Sequence, residues 1–126
     1  MKRIVYDAGV LIAADKNHRD CWARHRVRLA QGLVPLVPSE VIAQASRSSR
    51  QAQLRRFLRG CEIVSLDEQG AHRAGEILAL SRTSDVIDAI VVELAIRAEA
   101  NILTSDAGDL SRLVAATHAT VLVSSL

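Results

Sequence analysis

The sequence predicts an α/β fold built on a parallel sheet, and three observations carry that reading. Short apolar runs alternate with longer stretches of helical periodicity from one end of the chain to the other. Each short run is bounded by Gly, Pro, Asp or Ser, the residues that end strands. The 126 residues make one domain, 1–126, large enough to bury a self-sufficient core.

Arg3-Ile4-Val5-Tyr6 reads as the first strand and Leu33-Val34-Pro35-Leu36-Val37 as the second. Pro35 and the charged flanks make that second strand short or near an edge. Glu62–Ser65, Asn101–Thr104 and Thr120–Val123 follow as strands three to five. Helices over 9–15 and 18–31 fill the first crossover, and helices over 39–48 and 50–59 the second. The stretch 51–59 is amphipathic, with Leu54, Phe57 and Leu58 on one face. Asp67 is placed to cap a helix running to about Leu80. Residues 85–99 form a helix that is apolar nearly all round and therefore buried, and residues 109–116 form a short last one.

Composition excludes several classes. Hydrophobic residues are 49% and charged residues 24%, which rules out global disorder. No apolar run reaches the length of a membrane span, and the charged N-terminus, Met1-Lys2-Arg3, with Asp7 close behind, is unlike a secretory signal, so a cytoplasmic location is expected. Cys21 and Cys61 are too few and too far apart for a disulfide scaffold or zinc finger; both read as small buried hydrophobes. His18, His25, His72 and His118 have no metal-ligand spacing and read as surface or packing residues. Aromatic residues are only 2%, which argues against a face that stacks bases on rings.

The net charge of +2 hides an asymmetry. Residues 16–59 hold ten Lys or Arg against two acids, Asp20 and Glu40, whereas residues 60–126 hold four Arg against ten acids. Most of the cations are Arg, which suits bidentate contact with phosphate or carboxylate. A basic surface for a polyanion beside an acidic site accounts for this pattern; solvated helix faces are the plainer account.

In an open parallel sheet, ligands bind beyond the carboxyl ends of the strands. Asp7 follows the first strand, Ser39 and Glu40 the second, and Ser105 and Asp106 the fourth, while Asp85 and Asp88 open the buried helix. Each has a structural alternative: Asp7 and Asp85 as helix caps, Asp106 as a turn residue. Asp109 is read as the N-cap of the last helix. Asp88 is harder to explain structurally, because it lies one turn inside an apolar helix on the same face as Asp85. Carboxylates gathered at one edge recruit a cation, and oxygen-only donors suit Mg²⁺ or Mn²⁺, the ions of phosphate chemistry. With an Arg-rich segment nearby, a nucleic-acid phosphodiester is the natural substrate.

Four segments carry a family resemblance: Ile4–Leu11 (IVYDAGVL), Val37–Gln44 (VPSEVIAQ), Ser84–Ala89 (SDVIDA) and Leu103–Asp106 (LTSD). In this order and spacing the chain resembles PIN-domain proteins, most of all the VapC toxin ribonucleases of VapBC toxin–antitoxin modules. The resemblance implies a three-layer α/β/α sandwich with a central parallel sheet of about five strands. It implies a metal-dependent endoribonuclease, often a homodimer, inhibited by a cognate antitoxin. The family's acidic, metal-binding positions fall on Asp7, Asp88 and Asp106, with Thr104 or Ser105 as a supporting hydroxyl.

One position departs from the pattern. Six residues after Pro38, where the family usually has Glu, this chain has Gln44, which offers a carbonyl oxygen but no charge. Glu40, one turn before Gln44, and Asp85, one turn before Asp88, are candidates to replace it as catalytic carboxylates. Arg47 and Arg50 lie just past this helix start and are candidate contacts to RNA or to antitoxin carboxylates. The non-enzymatic alternative is a PIN-fold module that binds RNA or a partner without cutting it. A DNA-cleaving nuclease shares the same chemistry. A receiver domain fits poorly, since the only lysines are Lys2 and Lys16, and an aspartyl phosphatase would need a second Asp where Gly9 stands.

Overall fold

Strands β1 (Ile4–Tyr6), β2 (Leu36–Pro38), β3 (Glu62–Val64), β4 (Asn101–Thr104) and β5 (Val123–Ser125) alternate with seven helices. The helices are α1 (Ala8–Asp15), α2 (Arg19–Ala30), α3 (Ser39–Ala45), α4 (Ala52–Leu58), α5 (Glu68–Ser81), α6 (Val86–Arg97) and α7 (Ala107–Thr117). These come from a computed structural model that describes residues 2–83 and 85–126. Ser84, part of one family-like segment, lies outside the described residues.

The strands form one parallel sheet in the order β3-β2-β1-β4-β5. Val5 pairs with Leu36 on one side, and Ile4, Val5 and Tyr6 pair with Asn101, Ile102 and Leu103 on the other. The chain steps one way from β1 to β3 and the other way from β3 to β5. Right-handed crossovers then put α1–α4 on one face and α5–α7 on the other. The packing agrees: α1 touches α2, α3 and α4, whereas α5 packs on α6 and α7. Among the described residues no helix is long and apolar enough to cross a membrane.

Several boundaries differ from the sequence reading. β2 starts at Leu36 rather than Leu33, because the preceding residues finish α2: Leu33 N–H bonds the Arg28 carbonyl, Gly32 takes φ +78°, and the Arg3 guanidinium holds the Val34 carbonyl. β2 is short, as Pro35 suggested, and sits one strand in from the β3 edge. β5 is displaced to Val123–Ser125, the residues that pair with Ile102–Thr104. α3 stops at Ala45 instead of residue 48, because the Gln51 side-chain oxygen takes the N–H groups of Arg47 and Ser48 into a turn.

α6 is buried as its all-round apolar sequence requires, from Ala89 to Ala95. The α1–α4 layer is centred on a ring cluster. Phe57 stacks on Tyr6 at 5.5 Å between centroids, meets Trp22 edge-on at 5.0 Å and lies 4.0 Å from the His25 ring. Trp22 Nε1 donates to the Ala14 carbonyl at 2.9 Å. Trp22 and Phe57 therefore face inward. Leu54 is buried beside them, with Leu58 half-buried on the same amphipathic face.

Arg28 donates to the Tyr6 hydroxyl at 3.0 Å, leaving that proton for His25 Nδ1 at 2.9 Å. Burial, with Arg28 nearby, pushes the His25 pKa down to about 4. The sign follows: this group's stabilisation is full above pH 6.5, where both states are neutral. It falls as pH drops towards about 4, by up to about 3 kcal/mol, because only the unfolded chain gains a proton in that window. An NMR titration of the His25 ring should give a midpoint near 4; a midpoint above 6 would contradict this account.

Candidate active site at the sheet switch point

β1 and β4 are neighbours from which the chain departs in opposite directions, so their carboxyl ends define a topological switch point. Asp7 follows β1, and its backbone N–H bonds the Leu103 carbonyl. It occupies the N-cap position of α1 but makes no side-chain capping bond. Instead its Oδ2 accepts from the Thr104 hydroxyl at 2.8 Å. Thr104, the fully buried last residue of β4, also accepts the Asp106 N–H at 3.1 Å. One threonine oxygen thus ties the end of β1 to the turn that carries Ser105 and Asp106. Thr104→Val keeps the shape, leaves Asp7 Oδ2 and the Asp106 N–H without that partner, and should lower stability by about 1 kcal/mol. Thermal denaturation reads this as a drop of roughly 4 °C; an unchanged midpoint would remove the tie.

Gly9 makes the other close approach. A Cβ there would stand 1.9 Å from Ser105 Oγ and 2.5 Å from Ser105 Cβ, so the first turn of α1 lies directly against the β4–α7 turn.

α6 runs antiparallel to the strands and brings its N-terminus to the same edge. Asp85 is its N-cap, with Oδ1 accepting the Asp88 N–H at 3.0 Å. Asp88 is half-buried. Its carboxyl is pushed up to about 7, first by burial and then by the negative charges of Asp85, Asp7 and Asp109. Asp85, Asp88 and Asp109 share a hollow of about 190 Å³ with Arg82, Arg112 and Thr83. Asp85 is therefore both a cap and a charge acting on Asp88.

The N-cap position of α7 belongs to Asp106, not to Asp109 as the sequence suggested. The last helix begins at Ala107, because the Thr104 hydroxyl holds the Asp106 N–H and starts the turn earlier. Asp109 sits in the first turn and pairs with Arg112. Asp106 and Ser105 are exposed.

The remaining candidates lie elsewhere. Glu40 accepts from Ser39 Oγ at 3.3 Å and lines a narrow crevice with Ile90, Glu93 and Arg97. Gln44 lines a separate hollow with Ile12, Asp15, Lys16, Arg47 and Gln51. Arg47 spends its guanidinium on the Ala43 and Ser46 carbonyls, and Arg50 is exposed. The sequence reading missed Arg82 and Arg112, which place cations beside the aspartates. It also passed over Glu93, a 2%-exposed carboxylate bonded by Arg97 at 3.1 Å and facing Arg73 at 3.7 Å. Its signal was the same as for Asp88: one charge inside an apolar helix.

Among the described residues, no three of His, Cys, Asp and Glu converge closely enough to hold a metal ion. The donor chemistry fits a hard divalent cation nonetheless. The donors are carboxylates and a hydroxyl, and the negative field that raises Asp88 is what a cation would relieve. Mg²⁺ commonly takes only one or two protein carboxylates and completes its shell with water and phosphate.

Comparison with known proteins gives the same outline. No curated protein matches the chain. A chain of VapBC2 from Rickettsia felis, solved bound to a DNA fragment from its promoter, is similar in structure: TM-score 0.71 and 18% identity, with 98% of each chain covered. A chain of DNA-bound VapBC from Salmonella typhimurium gives a TM-score of 0.73 at 18% identity, covering 99% of this chain and 98% of that one. A toxin–antitoxin complex from Klebsiella pneumoniae gives 0.63 at 17%, covering 86% and 90%. The sequence model of the PIN domain matches residues 4–115, nearly the whole sheet and the edge that carries Asp7, Asp88 and Asp106, and the chain belongs to the PIN-domain family.

Proposed function

We propose that the chain is a divalent-cation-dependent endoribonuclease that hydrolyses RNA phosphodiester bonds, the toxin of a toxin–antitoxin pair. The observation that carries this is the gathering of Asp7, Asp88 and the Thr104–Asp106 turn at one sheet edge, where burial and then neighbouring negative charge push the Asp88 carboxyl up to about 7. PIN domains are generally nucleases, and the structural neighbours are VapBC complexes.

Asp7, Asp88 and Asp106 would hold Mg²⁺ or Mn²⁺, which when bound supplies a Lewis acid for the phosphate and a more acidic water. Thr104 fixes the Asp7 carboxylate, and Ser105 offers a second hydroxyl on the same turn. Asp85 adds charge beside Asp88 and anchors the start of α6, while Glu40 contributes an outlying carboxylate. Arg82 and Arg112 face the hollow from which a phosphate would be approached. Arg47 and Arg50 contact RNA backbone or antitoxin carboxylates. The protein acts in the cytoplasm as a homodimer; Leu80 and Val86, 63% and 54% exposed near the α5–α6 turn, are apolar side chains available for such a contact.

Gln44 supports a second reading, a PIN-fold module that binds RNA or a partner without cutting. It stands where the family's Glu is expected and lines a hollow away from the aspartates. RNA cleavage by the purified protein with Mg²⁺, with Mn²⁺ and with EDTA separates the two. Metal-dependent cleavage is expected, with RNA outcompeting DNA. RNA that stays intact in both metals while still binding would favour the module.

A further inference from the structure

We infer that the paired guanidiniums of Arg26 and Arg56 over Trp22, on the ridge where α2 meets α4, form a phosphate-backbone contact for single-stranded RNA. This rests on the RNA reading above but concerns a surface that holds none of the site's carboxylates.

Arg26 lies one helical turn after Trp22, and Arg56 reaches the same ring from α4. Their guanidinium carbons stand 5.6 and 5.5 Å from the Trp22 centroid. The indole is itself fixed, 8% exposed, by its bond to the Ala14 carbonyl and by Phe57. Two exposed cations are thus held near one rigid ring. Guanidinium–indole stacking limits the entropy lost when an anion arrives.

Among the described residues neither Arg26 nor Arg56 is ion-paired. Of the ten cations in residues 16–59, only Arg24 is ion-paired among the described residues, with Asp20. Arg56 bonds a neutral partner, the Gln53 side-chain oxygen, at 2.9 Å. Arg55 and Arg59 lie exposed on the α4 side of the ridge. Like charges kept together without carboxylates are relieved by a polyanion, and repeated phosphates supply one. Because such contacts touch phosphate only, the ridge would hold RNA of any sequence.

The chain has a single tryptophan, so its emission reports on this ridge alone. The test is binding of a labelled single-stranded RNA in EDTA, followed by anisotropy and by Trp22 emission across a salt series. The parent, Arg26→Gln/Arg56→Gln and Lys2→Ala are compared, with thermal denaturation as a check on folding. Lys2 lies on the β5 side of the sheet, away from α2 and α4, with Nζ on the Thr120 carbonyl.

In the parent, Trp22 emission should change with the same midpoint as the anisotropy. Loss of two phosphate contacts should make the log–log salt slope shallower by about 1.4 and weaken binding about 20-fold near 0.1 M salt. Lys2→Ala should bind like the parent. A folded double variant that binds RNA as the parent does would overturn the inference, as would a parent that binds no RNA. A polyglutamate peptide that binds as tightly as RNA, and is lost in the double variant, would also overturn it by assigning the ridge to an acidic protein segment. RNA bound through the ridge but left uncut in Mg²⁺ would sink the nuclease reading and leave the ridge standing.

Discussion

Asp88→Asn should abolish RNA cleavage, by 100-fold or more, and at the same time make the protein more stable at pH 8. The two effects share one cause. The Asp88 carboxyl has its pKa raised to about 7 by burial and by Asp85, Asp7 and Asp109. A carboxyl whose folded pKa lies above its unfolded value contributes stability that is present at low pH and lost as pH rises through 7. At pH 8 the ionised side chain therefore works against the fold, by about 1–2 kcal/mol once solvent screening is allowed for. Asparagine removes that charge and keeps the shape. The midpoint at pH 8 should rise by about 3–8 °C, while below about pH 4, where Asp88 is protonated in the folded and unfolded chains alike, the two proteins should melt together. Mg²⁺ should stabilise the parent at pH 8 more than the variant. Denaturation at the two pH values, with and without Mg²⁺, beside the cleavage assay, checks all of this. A variant less stable than the parent at pH 8 would contradict the electrostatic account. Asp88 and His25 also titrate with opposite sign between pH 4 and 6.5, so the variant should show the acid sensitivity of His25 more clearly than the parent.

Gly9→Ala should be among the most damaging single-methyl substitutions in the chain. The new Cβ would overlap Ser105 Oγ and Cβ and approach the Ser105 backbone nitrogen to 3.1 Å. A serine hydroxyl can rotate away, but its Cβ moves only with the backbone, so the β4–α7 turn must shift and carry Asp106 with it. Overpacking of this kind costs about 2–3 kcal/mol, and cleavage should fall at least tenfold because Asp7 and Asp106 lose their spacing. Ser105→Gly in the same protein removes both overlapping atoms and should return most of the stability, a coupling that a double-mutant cycle measures. Additive losses in the double variant would mean that the two residues do not meet.

The sheet was legible because strand and helix periodicities differ and each strand ends on a turn residue. Asn101–Thr104 and the buried helix appear where the pattern puts them. The ends of β2 and β5 were not legible, since apolar residues around them serve a helix end and an exposed loop equally well: Val34 and Leu122 are 39% and 67% exposed. Capping was ambiguous for a local reason. Asp106 and Asp109 are both placed to start α7, and the choice is made by Thr104, whose hydroxyl also answers to Asp7, 97 residues away. The same holds for the site. Its aspartates were visible as charges after strands or inside an apolar helix. The glycine contact to Ser105 and the arginines of the hollow depend on tertiary packing that no local pattern encodes.

The central place of β1 has a consequence for synthesis. Strand β1 is held between β2 and β4, and its register with Asn101–Leu103 is set only once that much later stretch has been made. Until then Asp7 has neither Thr104 nor Asp88 beside it. A nascent chain of this order carries its acidic residues as separate pieces, and any activity that depends on them begins only after β4 and the turn beyond it emerge.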